Sequence, residues 1–92
     1  MEENIIMKQF TFLITNEFAM HFGPAGQLAE IAKTYPDTTA TLQMGERSAN
    51  ISRPMKVATM GIRKGDKVTV IVEGPSENEL LEVLYQYFED KM

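Results

Sequence analysis

The sequence has 92 residues, which is enough for one domain with a single hydrophobic core and too few for two. Its hydrophobic share of 43% is that of a globular protein, and the lack of cysteine excludes disulfides, thiolate metal sites and cysteine nucleophiles and fits a reducing, cytoplasmic location. The net charge of −4, with nine scattered basic residues, argues against nucleic-acid binding, and no stretch is long and apolar enough for membrane insertion.

The chain begins with a short acidic lead. Residues 1–7 contain a single apolar pair and do not resemble a signal peptide, so they are expected to be an extension or flexible lead, and Met7 is an alternative start. One domain is expected over residues 8–92, since no repeat or linker interrupts it.

The first strand and the first helix are predicted from residue type and spacing. Residues 9–15 are rich in β-branched and aromatic side chains and partly alternate, which predicts a half-buried strand. A loop over residues 16–20 follows. From Pro24 onward apolar residues recur at intervals of three and four, which predicts a helix that ends near Thr34, before Pro36.

The middle of the chain predicts a hairpin and a short helix. Residues 38–43 and 47–51 have β character, and Gly45 between them suits a tight turn. Ser52 is expected to cap a short helix over residues 54–60, since serine accepts hydrogen bonds from free helix amides.

The last strand and helix carry the clearest signals. Residues 67–73 form the strongest strand pattern in the chain. Ser76 and Glu79 have the spacing of a capping box, which predicts the start of a terminal helix. Five apolar residues are expected to line one side of that helix: Leu80, Leu81, Leu84, Tyr85 and Phe88.

The element order βαββαβα defines the fold class. A long first crossover and short links elsewhere favour one four-stranded antiparallel sheet with three helices on one face. The expected fold is therefore an α+β, open-faced sandwich whose other sheet face meets solvent.

His21 is the only histidine and precedes the first predicted helix. A helix start presents free backbone amides and the positive end of the helix dipole, which favour a bound anion. From position alone, a cap or loop histidine is the stronger interpretation. The alternative is a phosphoryl acceptor whose product is held by the amides of Phe22, Gly23 and Ala25.

Two motifs resemble the HPr family, the histidine-containing phosphocarriers of the sugar phosphotransferase system. Residues 19–25 read Ala-Met-His-Phe-Gly-Pro-Ala, which is similar to the family's Gly-[Ile/Leu]-His-x-Arg-Pro-Ala. Residues 56–62, followed by Lys64 and Gly65, resemble the end of the family's second helix and its turn. The resemblance covers nearly the whole chain. It implies an open-faced β-sandwich and makes His21 the phosphoryl acceptor.

The resemblance also implies partners. In the family, enzyme I takes a phosphoryl group from phosphoenolpyruvate and gives it to the carrier histidine, which passes it to sugar-specific transporter components. The residues expected to contact these partners are apolar or basic: Phe22, Lys33, Arg53, Met55 and Lys56. The loop over residues 18–20 is expected to add to this contact surface.

The chain departs from the family at several of these positions. Gly23 stands where the family has an arginine beside the phosphohistidine, and Glu30 replaces what is often a basic residue, which should slow docking to an acidic enzyme I. Arg53 stands at the position of the serine that a kinase phosphorylates in many members, with Ser52 one residue earlier, so Ser52 is expected to be a helix cap rather than a regulated site.

Two functions remain open from the sequence. The first is a phosphocarrier, which is not an enzyme that releases a product and needs no cofactor or metal ion. The second is a regulatory module that keeps the fold and binds a regulatory protein with weak or no phosphorylation of His21. A stand-alone hydrolase is disfavoured, because the lone histidine has no serine or cysteine nucleophile or metal cluster at useful spacing.

Overall fold

The computed structural model describes residues 7–17 and 21–92 of the chain. Residues 1–6 of the predicted lead and residues 18–20 of the predicted loop lie outside this part. The elements follow the predicted order: β1 (Met7–Leu13), α1 (Phe22–Lys33), β2 (Thr39–Met44), β3 (Arg47–Asn50), α2 (Pro54–Ala58), β4 (Lys67–Glu73) and α3 (Glu77–Lys91). Within the described residues, no helix is long and apolar enough to cross a membrane.

The four strands form one antiparallel sheet in the order β1-β4-β2-β3. Val68, Val70 and Val72 of β4 are fully buried on the helical side, whereas the intervening residues of β4 are partly exposed. This alternation places three helices on one face and leaves the other face open. The predicted α+β open-faced sandwich is confirmed.

The β2–β3 hairpin turns where the sequence predicts. Met44 pairs with Arg47, so Gly45 and Glu46 form the turn between the two strands. Gly45 has a φ of +61°, in the left-handed region that glycine enters without steric cost.

Helices α1 and α3 cover the sheet with their apolar sides. α1 starts two residues earlier than predicted and buries Ala25, Leu28, Ala29 and Ala32. α3 buries Leu80, Leu84 and Phe88 among the five residues predicted to line it. Tyr85 is 43% exposed, and its ring packs edge-on against Phe10 of β1 with the centroids 5.1 Å apart.

The prediction that Ser52 caps α2 is wrong. Pro54 is the first residue of the helix, so the cap position falls on Arg53, which makes no side-chain cap hydrogen bond. Ser52 lies one residue too early. Its hydroxyl and its backbone N–H both donate to Oδ1 of Asn50, at 2.7 and 2.9 Å, in a turn before the helix.

The capping box predicted at Ser76 and Glu79 is also wrong. Ser76 occupies the cap position of α3, but its side chain makes no cap hydrogen bond. Its backbone N–H instead donates to Oγ1 of Thr38 at 2.9 Å. The loop before β2 is thus hydrogen-bonded to the turn before α3, and the spacing of residues near Ser76 does not reveal this long-range contact.

The end of α3 contacts the chain that leads toward His21. The backbone amides of Thr15 and Asn16 donate to the carbonyl oxygen of Met92 at 2.7 and 2.8 Å. Met92 is buried, at 3% exposure. Since carbonyls at a helix end lack partners within the helix, these two amides satisfy the last one and fix the segment after β1.

Candidate functional site

His21 is the N-cap residue of α1, as its predicted position requires, and it is exposed. Its backbone is extended, with φ −139° and ψ −166°. The backbone N–H of Gly23 donates to Nδ1 of the imidazole at 3.2 Å. In the neutral imidazole this bond makes Nδ1 the acceptor and leaves the ring proton on Nε2. Nδ1 is therefore the ring nitrogen that faces the helix amides.

The amides at the helix start are not equally available. The N–H of Ala25 donates to the carbonyl of His21 at 2.9 Å, in the first bond of the helix, so the expected role of Ala25 in binding phosphate does not fit this geometry. Pro24 has no N–H. The N–H of Phe22 has no acceptor among the described residues, and that of Gly23 points at Nδ1. Two amides therefore remain for an anion.

Gly23 leaves space beside the imidazole. Its φ is not in the positive range, so the backbone does not require glycine. A Cβ built on Gly23 would lie 3.1 Å from Cε1 and 3.5 Å from Nδ1 of His21, and, apart from the two chain neighbours and the backbone of α1, no other atom of the described part of the chain would lie within 4 Å. A side chain here would therefore crowd only the exposed imidazole.

The residues predicted to contact partners lie at the two ends of α1 and at the start of α2, and together they are called the strip: Phe22, Lys33, Arg53, Met55 and Lys56. Phe22 and Met55 are 61% and 65% exposed, large fractions for apolar side chains. Lys33 lies at the far end of α1, which is about 18 Å from its start at 1.5 Å per residue. One cavity is lined by both Lys33 and Ser52, so the start of α2 lies beside the end of α1.

The basic side chains of α2 in this strip are accessible to a partner protein. Arg53 and Lys56 are exposed, and the side chain of neither makes an ion pair or hydrogen bond within the described ranges 7–17 and 21–92. The strip thus combines exposed apolar surface with unpaired positive charge along α2. Sequence spacing alone does not show that Lys33 and Ser52, the residue before Arg53, line one cavity.

One contact that supports α1 has no signal in the sequence. The hydroxyl of Tyr87 in α3 donates to Oε1 of Gln27 in α1, and burial raises the pKa of Tyr87 above its usual value near 10. Tyr87 lies one turn after Leu84, but nothing in the sequence pairs it with a glutamine 60 residues away. Within the described residues, no cluster of three or more His, Cys, Asp or Glu side chains suits a metal ion.

Known proteins are similar to this chain in sequence and in fold. Residues 8–90 match the family described as "PTS HPr component phosphorylation site". The phosphocarrier protein HPr of Vibrio cholerae is 37% identical over 71 residues, which cover 77% of this chain and 82% of that protein.

A Providencia stuartii protein, the phosphoryl donor subunit DhaM of a PEP-dependent dihydroxyacetone kinase, is 29% identical over 77 residues, which are 82% of this chain but only 16% of that protein. The histidine-containing phosphocarrier protein of a mycoplasma has the same fold, with a TM-score of 0.85, 25% identity and coverage of 90% of this chain and 93% of that one. The chain therefore belongs to the HPr family of phosphocarrier proteins of the phosphotransferase system, which carry a phosphoryl group and are not enzymes.

Proposed function

We propose that this chain accepts a phosphoryl group from enzyme I on Nδ1 of His21 and passes it to a sugar-specific transporter component in the cytoplasm. The observation that carries the proposal is the bond between the Gly23 N–H and Nδ1. It supports the proposal because Nδ1 accepts a hydrogen bond from the Gly23 N–H, so a group attached to that nitrogen lies beside this backbone donor.

The transfer step follows from this geometry. The Nδ1 lone pair attacks phosphorus, the bond from phosphorus to its donor atom on enzyme I breaks, and that atom keeps the bonding electrons. The ring proton on Nε2 does not block the attack, and its loss to water afterwards returns the ring to its neutral form. The Gly23 N–H then donates its hydrogen bond to a phosphoryl oxygen instead of Nδ1, and the Phe22 N–H donates a second hydrogen bond to the phosphoryl group.

The strip on α1 and α2 is the proposed docking surface for enzyme I and for the receiving component. Phe22 and Met55 supply apolar area, and Arg53 and Lys56 supply positive charge that attracts an acidic partner. Lys33 extends the positive charge to the far end of α1. Glu30, exposed on α1, opposes this attraction and slows association.

The test is phosphorylation of the purified chain by phosphoenolpyruvate and the enzyme I of Vibrio cholerae. The product is followed by mass spectrometry of the intact protein. We expect one added phosphoryl group that is lost in acid or hydroxylamine. Because His21 is the only histidine, the His21→Ala variant has no histidine to modify and is the matched control.

A second donor separates reactivity from docking. Phosphoramidate is small and needs no docking surface, so it modifies a reactive His21 even if this enzyme I does not bind the chain. If the folded wild type reacts with neither donor, or if His21→Ala is modified equally, the phosphocarrier proposal fails. The chain is then better regarded as a regulatory binding module.

A further inference from the structure

The space beside Gly23 has no structural use within the described chain. The backbone there is not in the left-handed region, and, apart from chain neighbours and the backbone of α1, only the imidazole of His21 borders the position of a Cβ, with its Cε1 3.1 Å away. Gly26, three residues further along α1, also lacks neighbours within 4 Å of its Cβ position, but it is not next to the imidazole. The two glycines therefore form a natural pair for comparison.

A phosphoryl group on Nδ1 brings more negative charge than the helix start can balance. It carries a charge of roughly −1.5 to −2, whereas the helix dipole supplies the equivalent of about +0.5 at its N-terminus. The amides of Phe22 and Gly23 add hydrogen bonds but no full charge. About one unit of negative charge remains without a counter-charge.

The described residues supply no cation in contact with this site. No lysine or arginine among them forms a hydrogen bond or ion pair with His21, and none lies within 4 Å of the Cβ position of Gly23. Lys33 lies at the opposite end of α1, where it lines one cavity with Ser52, the residue before Arg53. Within the described chain, therefore, no side chain in contact with the site supplies the counter-charge.

We propose that a positively charged side chain of the partner protein enters the space beside Gly23 and contacts the phosphoryl group on His21 during transfer. This inference rests on the proposed function. The positive helix end repels a cation while His21 is unmodified, and the phosphoryl group reverses this, so the cation site exists only in the phosphorylated state. The carrier and its partner thus share one phosphate site between two chains.

The guanidinium ion is the probe, because it is the charged group of arginine. The chain is first phosphorylated with phosphoramidate: its P–N bond breaks, a new bond forms between phosphorus and Nδ1, and ammonia leaves with the proton it needs from water. The half-life of the phosphohistidine is then measured by ³¹P NMR, at one ionic strength, with guanidinium or with tetramethylammonium, which cannot donate hydrogen bonds.

Three variants make the test specific. Guanidinium should lengthen the half-life of the wild type and of Gly26→Ala by about two- to tenfold, an effect expected of one charge-assisted hydrogen bond. Gly23→Ala should show no lengthening, because its methyl group occupies the space. Both substitutions replace a helical glycine without positive φ, so both variants should fold. His21→Ala should form no adduct.

The outcomes separate this inference from the function on which it rests. An equal response of Gly23→Ala and wild type, or a wild-type half-life that guanidinium does not change, overturns the shared cation site while leaving the carrier function intact. Equal effects of guanidinium and tetramethylammonium overturn it as well, since they indicate screening alone. A wild type that forms no phosphohistidine overturns the proposed function itself.

Discussion

Gly74 is the position where a single methyl group should damage the fold most clearly. Its φ is +144°, and a Cβ there would lie 2.7 Å from both the carbonyl oxygen of Asp37 and Cα of Thr38. Real Cβ contacts are not this short, so the turn between β4 and α3 would have to move away from the loop before β2. The hydrogen bond from the Ser76 N–H to Thr38 Oγ1 crosses the same contact.

The size of the effect has two parts. A non-glycine residue at this φ costs about 1–3 kcal/mol of backbone strain. The forced displacement of packed backbone adds about 1–3 kcal/mol. Gly74→Ala should therefore lower the free energy of unfolding by about 2–6 kcal/mol, a large part of the roughly 5–15 kcal/mol of a small domain.

Gly65→Ala is the control that isolates the contact. Gly65 also has a positive φ, of +96°, but a Cβ there would meet nothing within 4 Å. The two variants share the backbone strain, so the difference between their unfolding free energies, about 1–3 kcal/mol, reports the contact at Gly74. Urea unfolding followed by circular dichroism measures both. If the two variants are destabilised equally, the close approach of the two loops is not as described.

Three further predictions concern tertiary contacts. Ser76→Ala should change the unfolding free energy by less than about 0.5 kcal/mol, whereas Thr38→Val should lower it by about 1–3 kcal/mol because it leaves the Ser76 N–H without an acceptor. Urea titrations of the two variants measure both values, and equal losses would indicate that the Ser76 side chain caps α3 after all. In an absorbance titration Tyr87 should ionise above the usual pKa of tyrosine, as should Tyr85, whose pKa is raised by its hydrogen bond to the Glu89 carboxylate. Tyr87→Phe should therefore reduce the high-pH component without removing it, and an unchanged curve contradicts the burial of Tyr87. Phe88→Ala should cost about 3–5 kcal/mol in thermal or urea unfolding, since Phe88 is fully buried against the rings of Phe10 and Phe12; a loss below about 1 kcal/mol would be inconsistent with that packing.

The sequence predicts the fold well because its signals are local and agree with one another. The strand pattern at residues 67–73 coincides with β4, and the glycine between β2 and β3 marks their turn. Periodicity also identifies the buried side of α3. Each of these features depends on residues within one element, where the spacing of apolar side chains directly reflects burial.

Both cap predictions failed for a common physical reason. A serine before a helix can bond to the helix or to other groups, and local spacing does not decide between them. Asn50 takes the hydroxyl of Ser52, and Thr38 takes the amide of Ser76 from 38 residues away in the sequence. Side-chain competition and long-range contacts are properties of the packed structure.

The position of His21 was predictable from the sequence, but the detail of its surroundings was not. Hydrophobic spacing and Pro24 locate the helix start, and hence the histidine. The engagement of the Ala25 amide and the empty space beside Gly23 depend on the first two residues of α1, where the helix begins before the proline. Helix ends are where sequence patterns define boundaries least sharply.

The sheet order has a consequence for how the protein is made. β1 is synthesised first among the described elements, yet its only partner strand is β4, which begins at Lys67. While the ribosome makes the residues between them, β1 is an unpaired strand that carries the apolar side chains of Phe10 and Phe12. Pairing with β4 ends the exposure of its backbone, but these rings still lack the cover of α3. A nascent chain stalled after Glu73 should therefore be bound by chaperones and cut by proteases, whereas one stalled with α3 outside the ribosome should resist both.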